Sequence, residues 1–288
     1  MKGPTLERLG KGVFCMKKER RVIYTILIIV ILIPLVKPIG LPLGITEEVQ
    51  RAYDTIEALE EGSFVILSPD YSAGASPELW PQTLAYTEHL MRKNARIIAL
   101  SWWAEGIVFA ERAMKECAER HGYQYGIDYV VLPFTAGGET AVAALGKNLK
   151  GLYTNDYYGT PIDEIPLMKD ITGINDVSLI VSFGTGDDVV YYLKQIQGRY
   201  KVPVVAGVTA VIYPMYVPYL QSEQLSGLLG GLKGAAEYEK LLNQPGKALA
   251  GMDAQSLAHV YVILLILIGN IRYFTRSKSE KKGSESHG

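Results

Sequence analysis

Two apolar runs, residues 22–36 and 257–271, lie near the two ends of this 288-residue chain and constrain it more than any motif between them. The first, VIYTILIIVILIPLV, carries no charge. A helix rises 1.5 Å per residue, so a bilayer core takes about 20 residues. The first run reaches that length as a 22–44 segment when Lys37 extends its ammonium to the headgroups, with a kink expected at Pro34. A cleaved signal peptide is the competing reading. The following residues, KPIGLPLGITEE, lack an A-x-A-like cleavage site, so an uncleaved signal anchor is expected. The second run extends to 254–274 and lacks the polar stripe of a buried core helix. His259 and Asn270 interrupt it only near its ends, which makes His259 an interfacial residue rather than a proton relay.

Charge near the runs gives an expected orientation. Seven Lys or Arg face two Glu before Val22, and five face two Glu after Ile271, so both tails (1–21 and 275–288) are expected inside. The whole chain has 29 basic and 30 acidic residues, which leaves 17 basic and 26 acidic between the tails. An acidic central region excludes nucleic acid as its partner. The expected location is therefore the cytoplasmic membrane, with the central domain outside and the basic tails near anionic lipid. Cys15 and Cys117 then fall on opposite sides, and no disulfide framework or metal-ligand spacing is present. Cys117 continues the stripe Ile107, Ala110, Met114, which places it in a helix core.

Between the runs, strand-like and helix-like segments alternate. Residues 64–68, 96–102, 129–134, 179–183 and 202–208 are short and apolar, as strands buried on both faces are. Segments 79–93, 105–120, 139–147 and 187–200 have helical patterns and supply the crossovers that parallel strands require. The expected fold is α/β: a single doubly wound, mainly parallel Rossmann-like or flavodoxin-like sheet over 62–220, flanked by N- and C-terminal transmembrane helices. A linker helix is expected over 45–61, and a Gly-rich helix and linker over 221–253.

In such folds ligands sit beyond the carboxyl ends of the strands. The turns there supply Asp70, Tyr71 and Ser72; Trp103 and Glu105; Gly137, Gly138 and Glu139; Gly184, Thr185, Gly186 and Asp187; and Thr209. Glycines and caps also serve ordinary strand-to-helix turns. Neither G-x-G-x-x-G nor a P-loop is present, and the paired Asp187 and Asp188 would repel phosphate. The loop around Asp156, Tyr157 and Tyr158 is longer than a crossover needs, and with Trp102 and Trp103 at a strand end it is a candidate wall for a sugar-like or other polar ligand. His89 falls within a helix and His121 at a helix end. There is no G-x-S-x-G elbow, no H-E-x-x-H and no nucleophilic cysteine context, and no cofactor follows from the sequence. Tyr213, Tyr216 and Tyr219 are spaced to lie at headgroup level. Gly227 with Gly231, and Gly230 with Gly234, place small residues four apart, which on a helix would suit self-association or contact with another membrane protein.

These readings support two classes of function. One is a noncatalytic binding or scaffold module of a membrane assembly, meeting a small polar ligand at its strand-end turns. The other is a membrane-tethered hydrolase or transferase working through carboxylates near Asp70. A pocket in which Asp70, Glu105 and Asp187 converge would favour the enzyme, and a closed edge would favour the module.

Overall fold

The computed structural model describes residues 18–285, which form two compact units. The larger, Pro42–Leu249, is built on one six-stranded, all-parallel sheet in the order β3-β2-β1-β4-β5-β6. The strands are β1 (Phe64–Asp70), β2 (Arg96–Ala99), β3 (Tyr129–Val131), β4 (Val177–Gly184), β5 (Val204–Val208) and β6 (Gly227–Gly230). This is the doubly wound Rossmann-like order, with the direction of winding reversing between β1 and β4.

Apolar residues on alternate positions of each strand feed two separate cores. Val65, Leu67, Ile97, Val181 and Leu229 meet α2 (Glu47–Glu57), α3 (Ser76–Arg92), α4 (Gly106–His121) and α10 (Gly231–Leu241). Ile66, Ile98, Ile180, Val204 and Leu228 meet α5 (Glu139–Lys147), the short α6 (Pro166–Asp170), α7 (Asp188–Tyr192) and α9 (Tyr213–Gln221). A π-helical turn, Leu193–Gln197, joins α7 to the single turn α8 (Gly198–Tyr200). The helix expected over 45–61 is α2, and it packs within this unit: Val49, Ala52 and Ile56 are buried against the sheet. Cys117 is buried in the same core.

The Gly-rich segment corrects the sequence reading. Residues 227–230 are a sixth strand, and a helix begins only at Gly231. Leu228 and Leu229 enter opposite cores, which is strand alternation; with Leu225 and Leu232 the same leucines also match helical spacing. Glycine is required because the neighbouring chain occupies the Cβ position. A methyl at Gly227 would lie 2.3 Å from the Ala52 Cα, and one at Gly230 would lie 2.4 Å from the Tyr213 ring. Gly231 turns at φ 58°, and Gly234 packs on Leu229. The four glycines therefore share no helical face, and contacts within the chain fill the space they leave.

The second unit comprises the residues up to Leu41 and from Ala250 onward. Here α1 (Lys18–Val36) opens with Lys-Glu-Arg-Arg, so its apolar part, 22–36, is shorter than the about 20 residues of a span. The last helix, α11 (Lys247–Glu285), contains the one segment among the described residues long and apolar enough to cross a membrane, Lys247–Tyr273, with mean hydropathy 1.8. The two chain segments are joined by specific bonds. The buried Asp253 carboxylate accepts the backbone N–H groups of Ile39 (2.7 Å), Gly40 (2.8 Å) and Leu41 (3.0 Å), and the Tyr261 hydroxyl donates to the Ile23 carbonyl (2.9 Å).

Candidate functional site at the carboxyl edge

Strands β1 and β4 end side by side at the reversal point, where Asp70 is the register partner of Gly184. Asp70 has no exposed surface. Its Oδ1 accepts the Trp102 backbone N–H at 2.7 Å and has the Ser101 hydroxyl at 3.0 Å, and its Oδ2 accepts the Ser68 hydroxyl at 2.7 Å. The chain of donors continues outward: Tyr192 OH donates to Ser68 Oγ (2.8 Å), and the Trp102 indole donates to Tyr192 OH (2.8 Å). Burial holds the Asp70 carboxyl well above the usual carboxylate range. The Ser68 hydroxyl opposes that shift, the nearby charge of Asp188 adds to it, and the Trp102 amide and Ser101 hydroxyl oppose it further.

Asp188 opens α7 and turns its carboxylate back over the preceding turn. A Cβ at Gly184 would lie 3.0 Å from Asp188 Oδ2, so glycine is required there. The Trp103 indole donates to Asp188 Oδ1 at 2.8 Å, which ties the end of β2 to α7. Asp188 is buried, and burial raises its pKa against the pull of the Trp103 indole and the loop amides. The tight packing extends to α4: a Cβ at Gly106 would lie 2.0 Å from the Pro69 carbonyl oxygen and 2.3 Å from Ser101 Oγ.

The other predicted residues separate into groups. Glu105 is exposed and accepts the Ala73 N–H at 2.6 Å, and Asp187 is exposed; neither joins Asp70 in a pocket. The carboxylate that comes closest to sharing its site is Asp188. Tyr71 is buried, with its hydroxyl 2.9 Å from Thr83, and Ser72 accepts the Ala75 N–H through its carbonyl. Gly137 (φ 137°) and Gly138 (φ 50°) shape the turn into α5, where Glu139 accepts the Gln195 amide at 2.7 Å. Gly186 receives the Tyr216 hydroxyl on its carbonyl, next to Thr185 in the same turn. Thr209 accepts the Ile212 and Tyr213 amides through its carbonyl.

Asp156 is buried and accepts Tyr125 OH (2.6 Å) and the amides of Tyr158 (2.9 Å) and Thr160 (2.7 Å), so it organises its own loop. Tyr157 donates its amide to the Val131 carbonyl, covering the edge of β3, and Tyr158 OH donates to Glu111. Ser68, Ser101, Ser182 and Tyr192 escaped the sequence reading, whereas Trp102, expected with Trp103 as a pocket wall, is buried and bonds Asp70 through its amide. The available signal was Ser68 and Ser182, polar residues inside otherwise apolar buried strands.

Several cavities lie elsewhere in this unit, and two of them are partly enclosed by helices. One of about 220 Å³ lies between α3, α4 and residues 244–247, lined in part by Glu88, Arg120 and Leu242. The other, of about 230 Å³, is lined by Thr46, Val49, Tyr213, Leu228 and Lys233. Neither includes Asp70. Comparison with known protein families and with characterised proteins finds no family pattern that matches this chain and no similar curated protein.

Proposed function

We propose that this chain is a membrane-anchored α/β binding module, noncatalytic, whose carboxyl edge meets a small polar ligand on the outer side of the cytoplasmic membrane. The observation that carries the reading is the enclosure of Asp70. A general acid or nucleophile must reach the reacting atom, whereas this carboxyl is fully buried and surrounded by donors from its own chain. Helix N-termini that would hold phosphate in a nucleotide site are supplied with carboxylates: Asp188 over the start of α7, and Glu78 on the Ala210 amide and beside Gly231 at the start of α10.

The membrane half of the reading rests on exposed apolar surface and on charge. Ile28 (57 %), Ile263 (56 %) and Leu264 (50 %) are open on α1 and α11. Both chain tails are basic, and the bonds from Asp253 and Tyr261 favour a hairpin that keeps those tails on one side. In this reading α1 spans although its apolar part is short, because Arg20 at its inner end and Lys37 at its outer end extend to the headgroups.

The test compares wild-type protein and Asp70→Asn in lipid nanodiscs against a panel of small polar compounds, following both melting temperature and consumption of the compound. The reading expects a compound that shifts melting without being consumed. Turnover that falls by about 100-fold or more in Asp70→Asn would instead establish a tethered hydrolase or transferase.

A further inference from the structure

Three helices of the α/β unit meet at one buried imidazole. His89, on α3, is 2 % exposed. Its Nε2 lies 2.9 Å from Glu57 Oε2 on α2, and its Nδ1 lies 2.7 Å from the Tyr238 hydroxyl on α10. Tyr53 of α2 stacks on the ring, with the two centroids 4.5 Å apart.

The partners fix where the protons sit. The bond from His89 holds the Glu57 carboxyl below its ordinary value, and a carboxylate can only accept. Nε2 therefore carries the hydrogen of the neutral ring, which leaves Nδ1 as an acceptor and makes the Tyr238 hydroxyl its donor. Burial keeps that phenol protonated. In this state each polar atom of the group has its partner.

A further proton on the ring can go only to Nδ1, and it turns the Tyr238 bond around. The ring N–H then donates, the phenol oxygen accepts, and the phenol hydrogen needs another acceptor. Among the described residues the Tyr238 hydroxyl bonds only to His89, and the rings of Tyr53 and Tyr86 close around it. A buried donor without a partner destabilises the state that contains it.

The surrounding charges do not reverse this preference. Glu57, which favours an imidazolium, is half-exposed and shared with Lys93 at 3.5 Å. Arg92 and Lys93, at the end of α3, oppose a charge on the ring, and Asp54 of α2 acts on Tyr238. From α4, Arg120 and His121 turn to Glu88 instead, and β4 and β5 meet Tyr86 with the Phe183 ring and the Ala206 carbonyl. Loss of hydration has the largest influence on His89 and lowers its pKa from the ordinary 6.5. A histidine lowered by folding contributes stability that is whole above the unfolded value and lost as pH falls through the folded one.

We propose that His89 is a proton-sensitive latch: its neutral ring holds α2 to α3 and α10, and a proton added at Nδ1 loosens α2. Along the chain α2 follows the first apolar segment and α10 precedes the second, so the latch joins the helices next to both. The inference goes beyond the binding-module reading and does not depend on it.

The test uses the full-length protein in nanodiscs. It follows hydrogen exchange of α2, corrected for the intrinsic pH dependence and referred to α5, together with an NMR titration of the His89 ring. Opening of α2 relative to α5 is expected to rise about tenfold as pH falls from about 7.5 to about 5. Protonation of His89 is expected to accompany it, below 6.5. His89→Gln, whose amide can serve both partners without titrating, is expected to abolish the rise. Glu57→Gln removes the charge that favours the imidazolium and is expected to move the rise to lower pH, which decides the matter even if His89→Gln does not fold. Constant protection of α2 across that range overturns the proposal, as does a rise that persists unchanged in His89→Gln. A ring that protonates above 6.5 also overturns it, because the pair with Glu57 then tightens the junction in acid.

Discussion

Carboxylates in this protein act mainly as acceptors for backbone amides. Glu237, with no exposed surface, accepts both the N–H and the hydroxyl of Thr46, the N-cap of α2, and also Lys233. Glu239 accepts the amides of Gly246, Ala248 and Leu249 at the start of α11. Orphan amides at helix starts need such partners; Glu237 serves α2 from a distant part of the sequence, and Glu239 serves α11 from the helix just before it. Asp70 belongs to this class, which is why its place at a strand end made it look like a catalytic acid in the sequence. Its raised pKa, and that of Asp188, fix the sign of the pH dependence. A carboxyl whose folded pKa lies above its unfolded value contributes most below the unfolded value, 3.8 for Asp, and its contribution is lost as pH climbs through the folded pKa. The part of the stability that Asp70 and Asp188 contribute is therefore expected to fall as pH rises above about 4, and the melting temperature of Asp70→Asn is expected to lack that part of the pH dependence when compared with wild type across the same range. Asp70→Ala strands the donors of Ser68 and Trp102 and is expected to cost about 1–3 kcal/mol in denaturant unfolding.

At the scale of elements, five of the six strands and their crossovers were legible because buried parallel strands are continuous apolar runs, such as Phe64-Val65-Ile66-Leu67. The sixth was not. Gly227-Leu228-Leu229-Gly230 has no β-branched residue, and its leucines coincide with a helical repeat; only the tertiary contact with Ala52 decides between the two. A substitution separates them. On an exposed helix Gly227→Ala would be stabilising, whereas in β6 the new methyl meets α2 backbone and is expected to cost about 1–3 kcal/mol in urea unfolding. The candidate site was legible as an edge but not as a geometry. Asp70, Trp103 and the 184–187 turn do meet at the reversal point, while Asp156 and Thr209 serve their own loops. Linear spacing carries no information on which strand ends become neighbours, and that choice brings Asp188 rather than Glu105 toward Asp70.

For the molecule as a whole, the charge pattern and the apolar ends set the proposed topology. A near-neutral chain divides into basic tails and an acidic interior. Asp253 ties the segment after α1 to α11 through three amides in one buried carboxylate, so Asp253→Ala is expected to speed proteolysis within residues 37–44 and to lower stability by about 2 kcal/mol. The central claim is that the α/β unit lies outside the membrane between two inward tails, and site-directed labelling of intact cells tests it most directly. Gly74 is exposed, and a Cβ there has only Ser72 Oγ within 4 Å, at 3.7 Å, so Gly74→Cys fits the fold. Cys117 is buried, and burial pushes its thiol up to about 12, so it stays silent; Cys15 is replaced by Ser. With a membrane-impermeant maleimide, the account predicts that Gly74→Cys reacts in intact cells and that Ser277→Cys reacts only after lysis. Labelling of Ser277→Cys but not Gly74→Cys in intact cells would contradict it.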